Sequence, residues 1–467
     1  MTRRWPPGGG RNVAFAALLL GMLMATLDIN VVVAALPSIA AALGHRGEVA
    51  GVTAAYLLAV AVMTPLHGSL GDRWGRRPLF AGSVAVFGAG SAACAAAPSM
   101  AALIAFRAVQ GVGGSGLIVA AVAAMAELFS RDELVRRQAW MTGVFASSVA
   151  GAPVGGFLAA GPGWRWIFVL NLPVCLAALA LGAGSVPARP AGRGGGRRFD
   201  AAGLALVAVA GSAIVVLGSS AALAASPVWA PLLALVAVGA TAGFVRAERR
   251  AENPLVPPRV LADPGLGRSV LVTLCSGVAL FGSFTFVPLA ITEGTGTHPA
   301  ATGLLLLPMS AGQVVVSSGF AVLARRWPAI TAWGRLGTGL GVAGMAIMAA
   351  VPAIAPGSGR TALATVGLAL AGAALGLSMQ AYTLIAQARA PAGIMGAAMA
   401  TLSFARQIGG SAGIALFGWI TLLAAGPAGL PLVFALAALA MAVALLGAPG
   451  PSHDSPVTEA ARTASLR

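Results

Sequence analysis

Long apolar runs separated by short polar interruptions fill this chain from end to end. A helix needs about 20 apolar residues to cross roughly 30 Å of hydrocarbon. On that rule, six runs lie at about 13–36, 49–67, 79–97, 100–124, 138–160 and 166–184. Two more follow at about 201–222 and 229–245, and another six at about 268–291, 301–324, 336–352, 361–383, 396–422 and 430–447. The pattern predicts an all-α membrane protein of about fourteen spans. The polar breaks divide it into an N-terminus (1–12), six spans (13–184), a Gly/Pro-rich linker (185–200), a helix pair (201–245), a loop (246–267), six further spans (268–447) and a polar tail (448–467). The linker composition suits a flexible tether, and that of the tail suits disorder.

Composition sharpens this. Hydrophobic residues make up 58% of the 467 positions, charged ones 9%, and the mean hydropathy is +0.89. A soluble chain carries about a quarter charged residues, so the expected partner of most of this surface is the lipid bilayer. The net charge is +16, and every basic side chain is arginine. The arginines sit in clusters between apolar runs, which fits the positive-inside rule and not a nucleic-acid groove. With both termini placed in the cytoplasm, the inner loops collect Arg73, Arg76, Arg77, Arg131, Arg136, Arg137, Arg189, Arg193, Arg197, Arg198, Arg246, Arg249, Arg250, Arg259, Arg268, Arg325, Arg326 and Arg335. The outer loops keep Arg46, Arg165 and Arg360. Cys94, Cys175 and Cys275 lie in apolar runs, with neither a disulfide framework nor a metal-ligand spacing. The first run is too long for the core of a cleaved signal peptide.

Chemistry is sparse, and therefore conspicuous. Asp28 is the one acid deep in a predicted span, at 1.5 Å per residue roughly 5–10 Å outward of the midplane. Hydrocarbon favours the neutral carboxyl, so Asp28 is expected to take up and release a proton; its plainer reading is a packing carboxylate bonded to Asn30 or a neighbour. Arg107 lies inside another apolar run, where a charge is costly unless it meets a partner or water, and Gln110 follows one helical turn on. No Walker element, Ser-His-Asp set or His/Cys/carboxylate cluster is present, which argues against ATP hydrolysis and against an enzyme.

Five stretches carry a resemblance. GSLGDRWGRRP (68–78) is similar to the loop signature between helices two and three of the major facilitator superfamily, with Gly68, Asp72, Arg73, Gly75, Arg76 and Arg77 in place and Gly71 where alanine is usual. The glycines there are expected to permit a tight turn. LIAFRAVQGVGGSG (103–116) resembles the superfamily's R-x-x-Q-G-x-G element. LDINVVVAALP (27–37) resembles the first-helix element of its drug:proton antiporter branch, with Asn30 and Val33 departing from it. GAPVGGFLAAGPGWRWIFVLNLP (151–173) is similar to the antiporter G-P-x-x-G-G and W-R-W-x-F-x-x-N-x-P elements. Gly151, Gly155 and Gly156 are kept, but Ala152 takes the proline slot and Pro153 the next. LSFARQIGGSAGIALFG (402–418), with Arg406, Gln407, Gly409 and Gly410, resembles the penultimate helix of the fourteen-span branch.

The resemblance implies two six-helix bundles with two inserted helices. It implies a rim cluster in which Arg76 pairs with Glu127, twenty positions beyond Arg107. The corresponding C-terminal loop, GFAVLARRWP (319–328), lacks the acid, so that cluster is expected on one side only. The implied function is proton-driven export of hydrophobic or amphipathic small molecules such as drugs and antibiotics across the cell membrane. No cofactor is needed beyond the proton gradient, and a monomer is expected. The alternatives are proton-coupled uptake of another solute class and a non-transport membrane protein on the same fold. Should Asp28 not couple, Glu293, Asp72 and Glu127 are the remaining candidates.

Overall fold

The computed structural model describes residues 8–44, 48–129, 133, 137, 151–186, 200–251, 254–290, 303–327, 329–354, 357–390, 395–424 and 429–450. Arg46, Arg131, Arg136, Arg189, Arg193, Arg197, Arg198, Glu293, most of the linker and most of the tail lie outside them.

The described elements are helical. In chain order they are α1 (Gly8–Leu43), α2 (Ala50–Trp74), α3 (Arg76–Ala95), α4 (Met100–Leu128), α5 (Gly151–Ala160) and α6 (Arg165–Ser185). Next come α7 (Ala201–Ser219), α8 (Trp229–Glu248), α9 (Pro264–Ala290), α10 (Leu307–Arg326) and α11 (Ile330–Ala350). The last three are α12 (Ser358–Arg389), α13 (Met395–Leu423) and α14 (Gly429–Gly447).

Among the described residues, twelve helices are long and apolar enough to cross a membrane. The two remaining predicted spans correspond to α5, of which only ten residues are described, and to α13. The latter has the length, 29 residues, but carries Arg406, Gln407 and several glycines within its apolar run. Several helices outrun their apolar stretch; α2 continues to Trp74 and α12 to Arg389. Hydropathy marks only the lipid-contacting part, whereas backbone hydrogen bonding carries a helix onward into the polar rim. Polar residues set starts: Ser99 Oγ accepts from Ala102 N at 3.2 Å to cap α4, and Asp200 Oδ1 accepts from Gly203 N at 2.8 Å to cap α7.

The chain forms two compact units: Met1–His45, Ala55–Phe199 and Pro299–Gly303 in one, Arg46–Ala54, Asp200–His298 and Leu304–Arg467 in the other. In the first, α1 packs on α4, α5 and α6, and α3 on α4 and α6. Its core holds Leu18, Met22, Phe80, Phe87 and Phe168. The approach is close because the facing residues are small. A Cβ on Gly155 would strike the Val31 carbonyl, and one on Gly113 the Phe87 backbone. Small residues let helices touch backbone to backbone in lipid, where no hydrophobic force drives them together.

In the second unit, α12 packs on α10 and α11, α11 on α14, and α9 on α13. Leu266, Val272, Phe320, Tyr382, Ile385 and Leu402 contribute to its core. The pair α7 and α8 belongs to this unit, with α7 wedged against α13 so that a Cβ on Gly218 would meet the Ala415 carbonyl. Its partner α8 turns Leu235 and Val238 outward, each 68% exposed. Water would not tolerate that apolar face, and lipid does.

Candidate functional site

Four helices of the first unit converge on one carboxylate. Asp28 of α1 is 2% exposed and Arg107 of α4 is 0% exposed. Arg107 Nη1 donates to Asp28 Oδ2 at 2.5 Å and to Gln110 Oε1 at 2.6 Å. Gln110 Nε2 donates to Asp28 Oδ1 at 2.9 Å and to Ser91 Oγ of α3 at 2.7 Å. Asn171 Nδ2 of α6 donates to the same two oxygens, at 3.2 Å to Asp28 Oδ1 and 3.0 Å to Ser91 Oγ. From α2, the Tyr56 ring lies 4.2 Å from the Arg107 guanidinium carbon, and its hydroxyl donates to the Ala25 carbonyl at 3.2 Å.

The sequence gives reasons for part of this. Arg107 and Gln110 are three apart on a helix and so share a face. Asp28 does not stand alone in the apolar interior, because a guanidinium and two amides reach its carboxylate. Ser91, Asn171 and Tyr56 were not singled out. Asn171 sits in the recognised 151–173 stretch, and Tyr56 is one of only two tyrosines in the chain. Ser91 gives no signal within an Ala/Gly-rich run. Asn30 lies against Gly151 of α5. Asp28 and Asn171 together form the polar edge of a cavity of about 590 Å³ whose other walls include Leu23, Leu27, Ile167 and Leu170.

The rim cluster forms at the α2–α3 turn. Arg76, 8% exposed, donates from Nε to Glu127 Oε1 at 2.8 Å and from Nη2 to Asp72 Oδ1 at 2.7 Å. The Arg76–Glu127 contact is the one the resemblance implied. Arg73 is exposed and Arg77 half-buried. Of the glycines, only Gly75 makes the turn, at φ 94°. Gly68 and Gly71 are interior to α2, which corrects the expectation that they shape the loop. Gly71 instead leaves room for the Arg76 guanidinium and Leu79, which a Cβ would meet at 2.5 and 2.9 Å.

The sequence model of the Major Facilitator Superfamily matches residues 18–414. The chain belongs to the Major Facilitator Superfamily. An uncharacterized MFS-type transporter of Mycobacterium tuberculosis is 34% identical over 87% of the chain and 59% of the relative's own length. The chain thus spans about three-fifths of that protein. A multidrug resistance protein B homolog of the same species is 33% identical over 85% of the chain and 74% of that protein. The tetracenomycin C resistance and export protein of Streptomyces glaucescens is 31% identical over 89% and 76%. Solved structures share the fold. A nucleoside transporter, NupG, superposes with a TM-score of 0.64 at 11% identity, over 93% of this chain and 98% of that one. A human organic anion transporter does so with a TM-score of 0.62 at 17% identity, over 95% and 99%. No His/Cys/Asp/Glu group among the described residues could hold a metal ion.

Within the superfamily fold, the remaining recognised stretches act first as packing surfaces. Gly151 and Gly155 bring α5 onto α1, with Gly156 buried and Pro153 partly exposed beside them. Arg165 Nη2 donates to the Ala97 carbonyl at 3.1 Å, tying the start of α6 to the α3–α4 turn. Gly409 and Gly410 of α13 lie against the backbone of α9 near Leu274 and Gly277. Gln407 keeps a buried Oε1 with no hydrogen bond among the described residues.

The second unit corrects the expectation of a one-sided rim. Arg389, the last residue of α12, donates from Nε to Asp263 Oδ1 at 2.9 Å and from Nη2 to Asp263 Oδ2 at 3.0 Å. Asp263 also caps α9, accepting from Gly265 N and Leu266 N at 2.9 Å each. The Arg389 hydrogen bonds hold its carboxyl below the usual carboxylate range, outweighing partial burial, which acts the other way. The acid sits before α9 and its partner 126 residues on, so the 319–328 loop gave no hint of it.

Proposed function

We propose that the chain is a secondary transporter of small organic molecules, coupled to protons through Asp28 and exporting hydrophobic or amphipathic solutes across the cell membrane. One observation carries the reading: the buried Asp28–Arg107 pair stands at the wall of an apolar cavity. A proton on Asp28 neutralises the carboxylate and leaves Arg107 as an uncompensated buried charge. Breaking such a pair costs about 3–5 kcal/mol, enough to shift a two-state equilibrium by two to three decades. Protonation can thereby drive a change of conformation, while Gln110, Asn171 and Ser91 hold the carboxylate in place. The Arg76–Glu127–Asp72 cluster serves as a gate at the rim.

The relatives named for drug resistance and export, together with the apolar cavity, support export. Uptake of another solute class is the second reading, and it draws on the breadth of the fold, which a nucleoside transporter and an organic anion transporter also use. We read α5 and α13 as the thirteenth and fourteenth spans, in two six-helix bundles flanking the pair α7 and α8, with both ends in the cytoplasm. A reporter fused at residue 225 would then read outside, and a cytoplasmic reading there would end the fourteen-span assignment.

The functional test is flux of a lipophilic dye in proteoliposomes under an imposed pH gradient. Wild type is expected to move dye against the proton flow and Asp28→Asn to lose the gradient dependence. Dye moving with the protons would favour uptake. Wild-type flux by Asp28→Asn would remove Asp28 from coupling.

A further inference from the structure

A second arginine within an apolar helix, the half-buried Arg406, lies on α13 about 17 Å along the helix from its start at Met395, counting 1.5 Å per residue. It lines a small pocket inside the second unit with Thr273, Ser276, Phe281, Ser378 and Tyr382. No ion pair or hydrogen bond reaches the Arg406 side chain from the described residues. Three of the hydroxyls around it are already engaged. Thr273 Oγ1 donates to the Ser269 carbonyl at 2.7 Å, Ser378 Oγ to the Ala374 carbonyl at 2.6 Å, and Tyr382 OH pairs with Thr338 Oγ1 at 3.0 Å. The fourth is not: Ser276 Oγ is buried with no hydrogen-bond partner among the described residues.

The helix that carries Ser276 is irregular at this point. Residues Gly277–Phe281 of α9 form a π-helical segment, a geometry concentrated at functional sites. Gly277 rests on the Arg406 backbone, where a Cβ would lie 2.5 Å from the Arg406 carbonyl oxygen. The two elements are therefore held in register, and the pocket walls include donors that meet no acceptor among the described residues. A charge kept at this depth without an acid is costly, and a fork of guanidinium N–H groups matches an anionic oxygen.

We propose that Arg406 and Ser276 form a subsite for an anionic oxygen, a carboxylate or phenolate, on an aromatic solute whose ring lies against Phe281. This rests on the transport reading above and narrows its cargo. The enclosed space holds about one water-sized group, so the subsite receives the anionic oxygen and not the entire molecule.

The test is direct binding to the full chain in nanodiscs without any gradient, using 2-naphthoate and its neutral methyl ester as probes. Wild type is expected to bind naphthoate at least about tenfold more tightly than the ester, the worth of one charge-assisted hydrogen bond. Arg406→Gln is expected to remove that preference, Ser276→Ala to reduce it, and Arg406→Lys to retain part of it. Equal affinity of wild type and Arg406→Gln for naphthoate, or no naphthoate binding by wild type, overturns the subsite. Thermal unfolding of each variant separates lost binding from lost folding. Gradient-driven dye flux, measured on the same nanodisc-validated protein in liposomes, tests transport separately: flux with no naphthoate preference sinks the subsite alone.

Discussion

Arg107 and Arg406 are both arginines inside apolar helices, and the protein treats them in opposite ways. Arg107 is 0% exposed and is met by Asp28, Gln110 and the Tyr56 ring. Arg406 faces a cavity and receives no hydrogen bond or ion pair from the described residues. The first unit thus holds a completed charge pair whose disruption has a cost, and the second holds an open one that invites a ligand. A buried arginine in lipid carries no single meaning. The difference lies in whether a carboxylate on another helix arrives at its head.

Stability measurements break or sharpen the contrast most strongly. Arg107→Ala strands Asp28 and empties the space over Tyr56, and is expected to lower unfolding free energy by about 3–5 kcal/mol. Arg406→Met removes a charge with no acid beside it and is expected to be neutral or stabilising, read as the thermal unfolding midpoint in detergent without solute. If Arg406→Met destabilises as much as Arg107→Ala, Arg406 is a structural partner and the contrast fails.

The rims supply a smaller version of the same comparison. Arg76 is 8% exposed and bridges two acids on the first unit. Arg76→Ala is expected to cost about 1–3 kcal/mol, as for hydrogen bonds to charged groups, and to speed tryptic cleavage near the α2–α3 turn. An unchanged cleavage rate would leave Asp72, Arg76 and Glu127 as decoration of the rim.

The smallest effect belongs to Asp263. Its folded-state carboxyl is held below the usual range chiefly by the Arg389 hydrogen bonds. The stabilisation is fully present above the unfolded value near pH 4 and is lost as the pH falls through the lower folded value. Asp263 is partly exposed, so solvent screening limits this to under about 1 kcal/mol. Stability is therefore expected to be flat from pH 7 to 5, and Asp263→Asn is expected to lessen the decline below pH 4. An equal decline in wild type and Asp263→Asn would show that the pair contributes nothing.

Much of the fold was legible in one dimension. Runs of about 20 apolar residues mark spans because lipid cannot hydrogen-bond a backbone, and that reading needs no partner helix. The same holds for a pair on one helix: Arg107 with Gln110 follows from helical spacing alone. The Arg76–Glu127 contact was also within reach, because the recognised loop and helix-four stretches implied it. Gly75 announced its turn, whereas Gly68 and Gly71 looked like turn residues and proved to be helix interior.

What the sequence by itself determined is which segments are helical and apolar, and where the few polar groups lie along them. Only the tertiary structure decided which of those groups meet. Asn171 joins Asp28 across 143 residues, Ser91 accepts from Gln110 across 19, and Arg389 finds Asp263 across 126. Ser276 is left without a partner beside Arg406. Hydropathy sums over neighbours along one helix, but a hydrogen bond between helices depends on how closely their backbones approach and at what rotation. Glycines at the contact set that approach in three dimensions, and no local pattern carries it.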